Sequence, residues 1–155
     1  MPMPMNAIEL LKEDHDRVRE LLARLVDTSP EAVDQRPDLL QTIEQELKIH
    51  TQLEEEIFYP AFKEADGKEN ERMYFEAKEE HRAVESLVLP DLKQTEPGNT
   101  SFSGRAKVLK ELVEHHAEEE EEEMFERARE CLSEDDLAQL GERMRARKEE
   151  LQQSM

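Results

Sequence analysis

Residues 40–61 read LQTIEQELKIHTQLEEEIFYPA, with the rhythm of a helix buried along one face. Leu40, Ile43, Leu47, His50, Glu54, Ile57 and Ala61 recur at alternating spacings of three and four, which lines them along one face of an α-helix. The seam carries an imidazole and a carboxylate in its middle. His50 and Glu54 stand four residues apart, one above the other on the same face.

Three other segments repeat the pattern: Ile8, Leu11, His15, Val18, Leu22 and Leu25; Tyr74, Ala77, His81, Val84 and Val88; and Phe102, Ala106, Leu109, Val113, His116 and Glu120. Sparse glycine and proline mark where these segments end. Asn6 with Glu9 reads as a capping box opening a helix from about Asn6 to Asp27. A second helix starts near Pro37 and reaches about Ala65, with a kink expected at Pro60. A third spans about Lys68 to Leu92 and bends near Pro90, and a fourth spans about Ser103 to Cys131. Ser133 with Asp136 opens a short fifth helix, about 134–152. No strand-like alternation appears. The fold expected is all-α: an up-down-up-down antiparallel four-helix bundle with a short extra C-terminal helix. It forms one domain over 1–155, its bundle at about 6–131.

The length, 155 residues, suits one core, and the net charge is 21 − 40 = −19. Such an acidic excess argues against nucleic acid or an anionic membrane surface as a partner. The lone Cys131 excludes an internal disulfide and fits a reducing compartment. No apolar run is long enough to span a membrane, and the start, Met-Pro-Met-Pro-Met-Asn, lacks the features of a secretory signal. A cytoplasmic location is expected.

Each histidine of the four seams lies about 13 to 16 residues from its nearest turns, so an up-and-down chain puts all four in nearly one layer. One histidine on an apolar face is ordinarily a satisfied core residue. Four imidazoles and two carboxylates in one layer are not, because burying them without a partner would cost several kcal/mol per ionised group. A metal removes that cost, since neutral imidazole and ionised carboxylate are what it requires. Two ions at bridging distance need a shared carboxylate, and Glu54 and Glu120 are the candidates. Nitrogen and oxygen donors without thiolate suit iron or manganese, with zinc less favoured. Metal binding should weaken as pH falls through the histidine range, about 6.5.

His50-Thr-Gln-Leu-Glu54-Glu55-Glu56-Ile-Phe-Tyr-Pro60 resembles the His-x-x-x-Glu-Glu…Phe-x-Pro signature of the hemerythrin-like, or HHE cation-binding, family. His115-His116-Ala-Glu-Glu-Glu120 through Met124-Phe125 is similar to the second copy of that signature. Glu13-Asp14-His15-Asp16 and Glu79-Glu80-His81-Arg82 resemble its single-histidine elements. The resemblance covers roughly residues 7–130. It implies a four-helix bundle with an oxo- or hydroxo-bridged non-haem diiron centre. His15 and His50 would bind one iron, His81 and His116 the other, and Glu54 and Glu120 would bridge. Oxygen-carrying members supply a further histidine where this chain has Glu85, either a substitute ligand or a solvated glutamate at the seam edge. That difference puts reversible oxygen carriage in doubt. A proline matching Pro60 is replaced by Glu126.

His115–Glu119 and His116–Glu120 are both i, i+4 pairs, and the seam from Phe102 selects the second over a weaker seam through Val108 and Leu112. Leu47, Ile57, Val84 and Val113 are expected to line the site, with Tyr74 in the core. Cys131 reads as a buried small residue near a helix end, and the Glu118–Glu123 run as a mostly solvated face. The leading function is a diiron protein binding iron and oxygen species (dioxygen, NO or peroxide) as sensor, buffer or scavenger. Peroxide decomposition at the same centre is the enzymatic alternative. A partner-binding helical module with a structural metal is the third reading.

Overall fold

The structure, a computed structural model, describes residues 4–155, so the first three residues of the chain's start lie outside it. Helix α1 is Ala7–Val26, α2 covers 35–65, α3 covers 67–93, α4 covers 100–131, and α5 is Glu134–Gln153. No strand occurs among the described residues. The Asn6 side chain accepts the Glu9 amide at 2.9 Å, and the Glu9 carboxylate accepts the Asn6 amide at 3.1 Å. Ser133 and Asp136 form the same reciprocal cap on α5. Gly67, the first residue of α3, has φ 57, a left-handed value that glycine adopts without a Cβ clash. Helix α4 begins at Thr100 rather than at Ser103, the expected start.

Three helices each widen into one π turn: Glu54–Phe58 in α2, Val84–Val88 in α3 and Glu120–Met124 in α4. The kinks expected at Pro60 and Pro90 take this form. Proline has no N–H to donate and its ring presses on the carbonyl four residues back, a clash the wider turn relieves. Glu126 stands at the matching position of α4, and the π turn forms there without proline. The extra residue rotates the following face by about 100°. Hence Phe58 and Phe62 are fully buried in α2 while Ala61 is only partly so, and at the end of α3 Leu89 and Leu92 are buried while Val88 is only partly so.

The core is split in two. One cluster contains Leu11, Leu53, Phe58, Phe62, Ala77 and Phe125; the other contains Val18, Leu22, Ile43, Leu47, Val84 and Leu109. Each of the first four helices passes from one cluster to the other, and each carries its buried histidine at the crossing: His15, His50, His81 and His116. Helix α5 packs on α1 and α2 and adds Leu137, Leu140, Met144 and Leu151 to the first cluster. Its close approach needs Gly141, where a Cβ would run into the Met5 and Asn6 backbone. At the other end the buried guanidinium of Arg36 donates to the carbonyls of Thr28 and Pro97 and to the Ser103 hydroxyl, tying two connections to α4. No helix of the described residues is long and apolar enough to cross a membrane.

Candidate metal centre

The four histidines and two glutamates on the seams meet in one buried layer. His15, His50, Glu54 and Glu120 form one group whose donor atoms all lie within 4.8 Å of one another. Glu54, His81, His116 and Glu120 form a second group of the same kind. Glu54 and Glu120 belong to both. The His15 and His50 ring centroids are 4.8 Å apart and those of His81 and His116 4.7 Å.

Behind each imidazole stands another carboxylate. His50 Nδ1 lies 3.1 Å from Asp14, His81 Nδ1 3.1 Å from Glu55, His116 Nδ1 2.7 Å from Glu80 and His15 Nδ1 2.7 Å from Glu121. The four contacts form a ring, in which α1 supplies the acid for the histidine of α2, α2 for α3, α3 for α4 and α4 for α1. An Nδ1–H donated to a carboxylate fixes the tautomer and turns the Nε2 lone pair inward, the arrangement that orients metal-binding histidines.

The inward atoms fit a metal. His50 Nε2 and Glu54 Oε2 are buried without any hydrogen-bond partner, although His50 Nε2 lies 3.2 Å from Glu54 Oε1. The Nε2 atoms of His81 and His116 face each other at 3.1 Å, a separation that needs a proton or a cation between two lone pairs. A buried polar atom left unsatisfied is costly, and a cation shared by these donors removes the cost.

Without an ion, protons do the neutralising. Burial disfavours the imidazolium of His50, but Glu54 and Asp14 outweigh it and push the ring up to about 10. Burial likewise opposes the charge on His81, and hydrogen bonds to Glu54 and Glu55 raise it to about 9. His15 and His116 are raised in the same way by the carboxylates around them. Asp14 is buried, which favours its acid form, yet His50 and Lys148 hold it down at about 2.

Tyr59 is the site residue that the spacing misses. Its hydroxyl donates to Glu120 and lies 3.3 Å from His81 Nε2 and 3.5 Å from His116 Nε2. The π turn swings it inward, a rotation that an ideal helical wheel does not contain. The carboxylates behind the rings were also missed. Their one signal is positional: Asp14 and Glu80 directly precede a histidine, and Glu55 and Glu121 directly follow a shared glutamate.

His115 is exposed and pairs with Glu119 at 3.1 Å, outside the buried layer, and Val108 and Leu112 of the weaker seam face outward. Glu85 is exposed, lines a cavity of about 40 Å³ and belongs to neither donor group. That cavity is walled by Val18, Leu47, Val84 and Val113 beside the four histidines. Ile57 does not line it but lies in the first core cluster. Tyr74 is partly buried, edge-on to Tyr59. Cys131 is partly exposed rather than buried, its thiol 3.7 Å from Asp66. Of the glutamate run, Glu120 is buried and Glu121 pairs with His15 and Arg19.

Comparison with known proteins agrees with this geometry. The chain is 26% identical over 153 residues to a DNA nickase of Nostoc sp., of whose length it spans only 41%. It is 31% identical to an uncharacterised protein of Mycobacterium tuberculosis, with 97% of this chain and 89% of that protein covered. A solved structure of a hemerythrin HHE cation binding domain-containing protein from Mycobacterium kansasii superposes with a TM-score of 0.84 at 30% identity. It covers 97% of this chain and 89% of that one. The family model described as hemerythrin HHE cation binding domain matches residues 6–128, a span that holds all four inward histidines and both shared glutamates. The chain belongs to the hemerythrin HHE cation-binding domain family.

Proposed function

We propose that this protein is a non-haem diiron protein that binds iron and oxygen species (dioxygen, NO or peroxide) as a cytoplasmic sensor, buffer or scavenger. The observation that carries the reading is the pair of four-donor groups sharing Glu54 and Glu120, with unsatisfied His50 Nε2 and Glu54 Oε2 at their centre. His15 and His50 would hold one iron, His81 and His116 the other, and the shared glutamates would bridge. Nitrogen and oxygen donors without thiolate favour iron, then manganese, over zinc. The alternation of the four helices between the two core clusters supports an up-down-up-down antiparallel bundle around the centre.

When bound, the iron pair supplies two one-electron redox centres next to a ligand chamber. The chain's residues do the rest. Asp14, Glu55, Glu80 and Glu121 hold the Nδ1 protons and keep each Nε2 aimed inward. Val18, Leu47, Val84 and Val113 leave room for only a few small molecules and keep bulk water out. That chamber favours a reactive centre over a purely structural metal. Tyr59 favours a second reading, decomposition of two hydrogen peroxides to two waters and one dioxygen. Its hydroxyl carries a proton that it donates to Glu120, and it lies within 3.5 Å of two inward imidazole nitrogens, where a departing oxygen would need a proton.

Iron analysis of the purified protein together with its optical spectrum tests the reading. About two irons per chain with near-ultraviolet oxo-bridge bands are expected. A folded protein that takes up no iron would overturn it. Dioxygen evolution from added peroxide separates the enzymatic reading from the binding one.

A further inference from the structure

The matched family segment ends at residue 128, yet α5 begins at Glu134 and reaches back to the centre. Lys148, on its fourth turn, places its ammonium 2.5 Å from Asp14 Oδ1. The other Asp14 oxygen, Oδ2, lies 3.1 Å from His50 Nδ1. Asp14 is 2% exposed, so its charge has little water to solvate it. Arg17 stands farther off, at 3.8 Å. The path is continuous: Lys148 on Asp14, Asp14 on His50 Nδ1, and His50 Nε2 without a partner facing Glu54.

We propose that Lys148 is a positioning residue for the first donor group: it fixes the Asp14 carboxylate, and through it the orientation of the His50 ring toward the metal. The inference rests on the diiron reading. Its physical basis is that a carboxylate with both oxygens engaged cannot rotate, so the imidazole that donates to it cannot rotate either. No lysine or arginine forms an ion pair with Glu55 or Glu80, the carboxylates behind His81 and His116, among the described residues. Lys148 therefore acts on one metal and not the other. It also gives α5 a role beyond covering the apolar core, because Lys148 reaches Asp14 while Leu137, Leu140, Met144 and Leu151 supply the packing.

The experiment is anaerobic titration of the metal-free full chain with ferrous iron, comparing wild type with Lys148→Met, Lys148→Arg and Arg147→Ala. Arg147 ties the same helix to Glu56 on α2 at 3.0 Å and touches no inward group, so its variant reports on helix docking alone. Lys148→Met should weaken one of the two iron equivalents by about 10- to 100-fold, the usual cost of losing a partner behind a metal-binding histidine, and leave the other unchanged. Lys148→Arg should restore most of the loss, and Arg147→Ala should bind like wild type. In the Asp14→Asn background, Lys148→Met should add nothing further. Equal binding by Lys148→Met and wild type would overturn the proposal, as would parallel weakening of both equivalents. Should Lys148→Met not fold, Lys148→Gln takes its place, with the same selective loss expected. Wild type that binds no iron would instead overturn the diiron reading, so the two failures are distinct.

Discussion

The two halves of the donor layer are built alike and set differently. Behind His15 and His50, each outer carboxylate meets a cation: Glu121 is 3.0 Å from Arg19, and Asp14 is 2.5 Å from Lys148. Behind His81 and His116, Glu55 and Glu80 form no ion pair with a lysine or arginine among the described residues, and Glu80 lies 4.0 Å from the exposed His115. Of the four outer acids only Asp14 is deeply buried, at 3% side-chain exposure against 23% for Glu121, 25% for Glu80 and 33% for Glu55. Of the four inward histidines Tyr59 touches only His81 and His116, and it donates to the shared Glu120. A second small cavity, walled by Glu76, Glu80, Glu119 and Glu123, also reaches His116 and Glu120 from outside. One half is thus tied to the scaffold by cations, while the other carries a phenol and two carboxylates without a lysine or arginine ion pair among the described residues. Ligand chemistry and metal exchange are accordingly expected at the His81–His116 half.

The largest effect should come from what the halves share. Glu120→Ala or Glu54→Ala removes a donor from both groups, and metal analysis should then find neither iron held tightly. Retention of both would dissolve the comparison altogether. His116→Ala and His50→Ala should each cost one equivalent. The survivor should exchange slowly with a chelator in His116→Ala and quickly in His50→Ala. Equal exchange rates would mean that the halves do not differ.

A pH series breaks the metal-free layer in a defined direction. His50 and His81 titrate near 10 and 9 in the folded chain, against about 6.5 unfolded. A raised value contributes stability that is complete below about pH 6.5 and disappears as pH rises through about 9 to 10. The thermal midpoint of the metal-free protein should therefore fall between pH 7 and 10. The iron-loaded form, whose imidazoles are already neutral, should change less. Iron must also displace these protons, so affinity should keep rising up to pH 9 or 10, above the window near 6.5 that a free imidazole suggests. A metal-free midpoint that does not fall over this range would contradict the proton-filled layer.

Smaller effects sharpen the comparison. Tyr59→Phe removes the hydroxyl that donates to Glu120, and Glu80→Gln removes the charge behind His116. Each should weaken the second iron by about 10-fold or more and shift the optical bands; the first equivalent should stay in Glu80→Gln, while Tyr59→Phe, acting on the shared Glu120, should weaken it by less than the second. At the bottom of the scale, His115→Ala and Glu119→Ala should leave both metals and the spectrum nearly unchanged, since His115 lies outside the buried layer.

Much of this was legible in the chain. The three-and-four spacing survives in α1 from Ile8 to Leu25 without a break, and every seam residue there is buried. The same spacing selects His116 over His115, because Phe102, Ala106 and Leu109 fix the phase of α4 before the π turn. Past the π turns of α2 and α3 the spacing misleads by one residue: it points to Ala61 and Val88 where Phe62 and Leu89 are buried, and it leaves Tyr59 out. A helical wheel assumes a constant angle per residue, and a π turn breaks it locally. The outer ring of carboxylates was hidden for another reason. Asp14, Glu55, Glu80 and Glu121 sit among 40 acidic residues, and only the approach of neighbouring helices separates those that face an imidazole from those that face water. Lys148 was harder still, being 134 residues from the carboxylate it meets.

The central claim is a two-metal layer with unequal halves, and stepwise anaerobic titration of the metal-free chain with ferrous iron tests it most directly. The account predicts saturation at about two irons per chain in two resolved steps, with Glu120→Ala abolishing both. Saturation at a single iron, or two equivalents unaffected by Glu120→Ala, would contradict it.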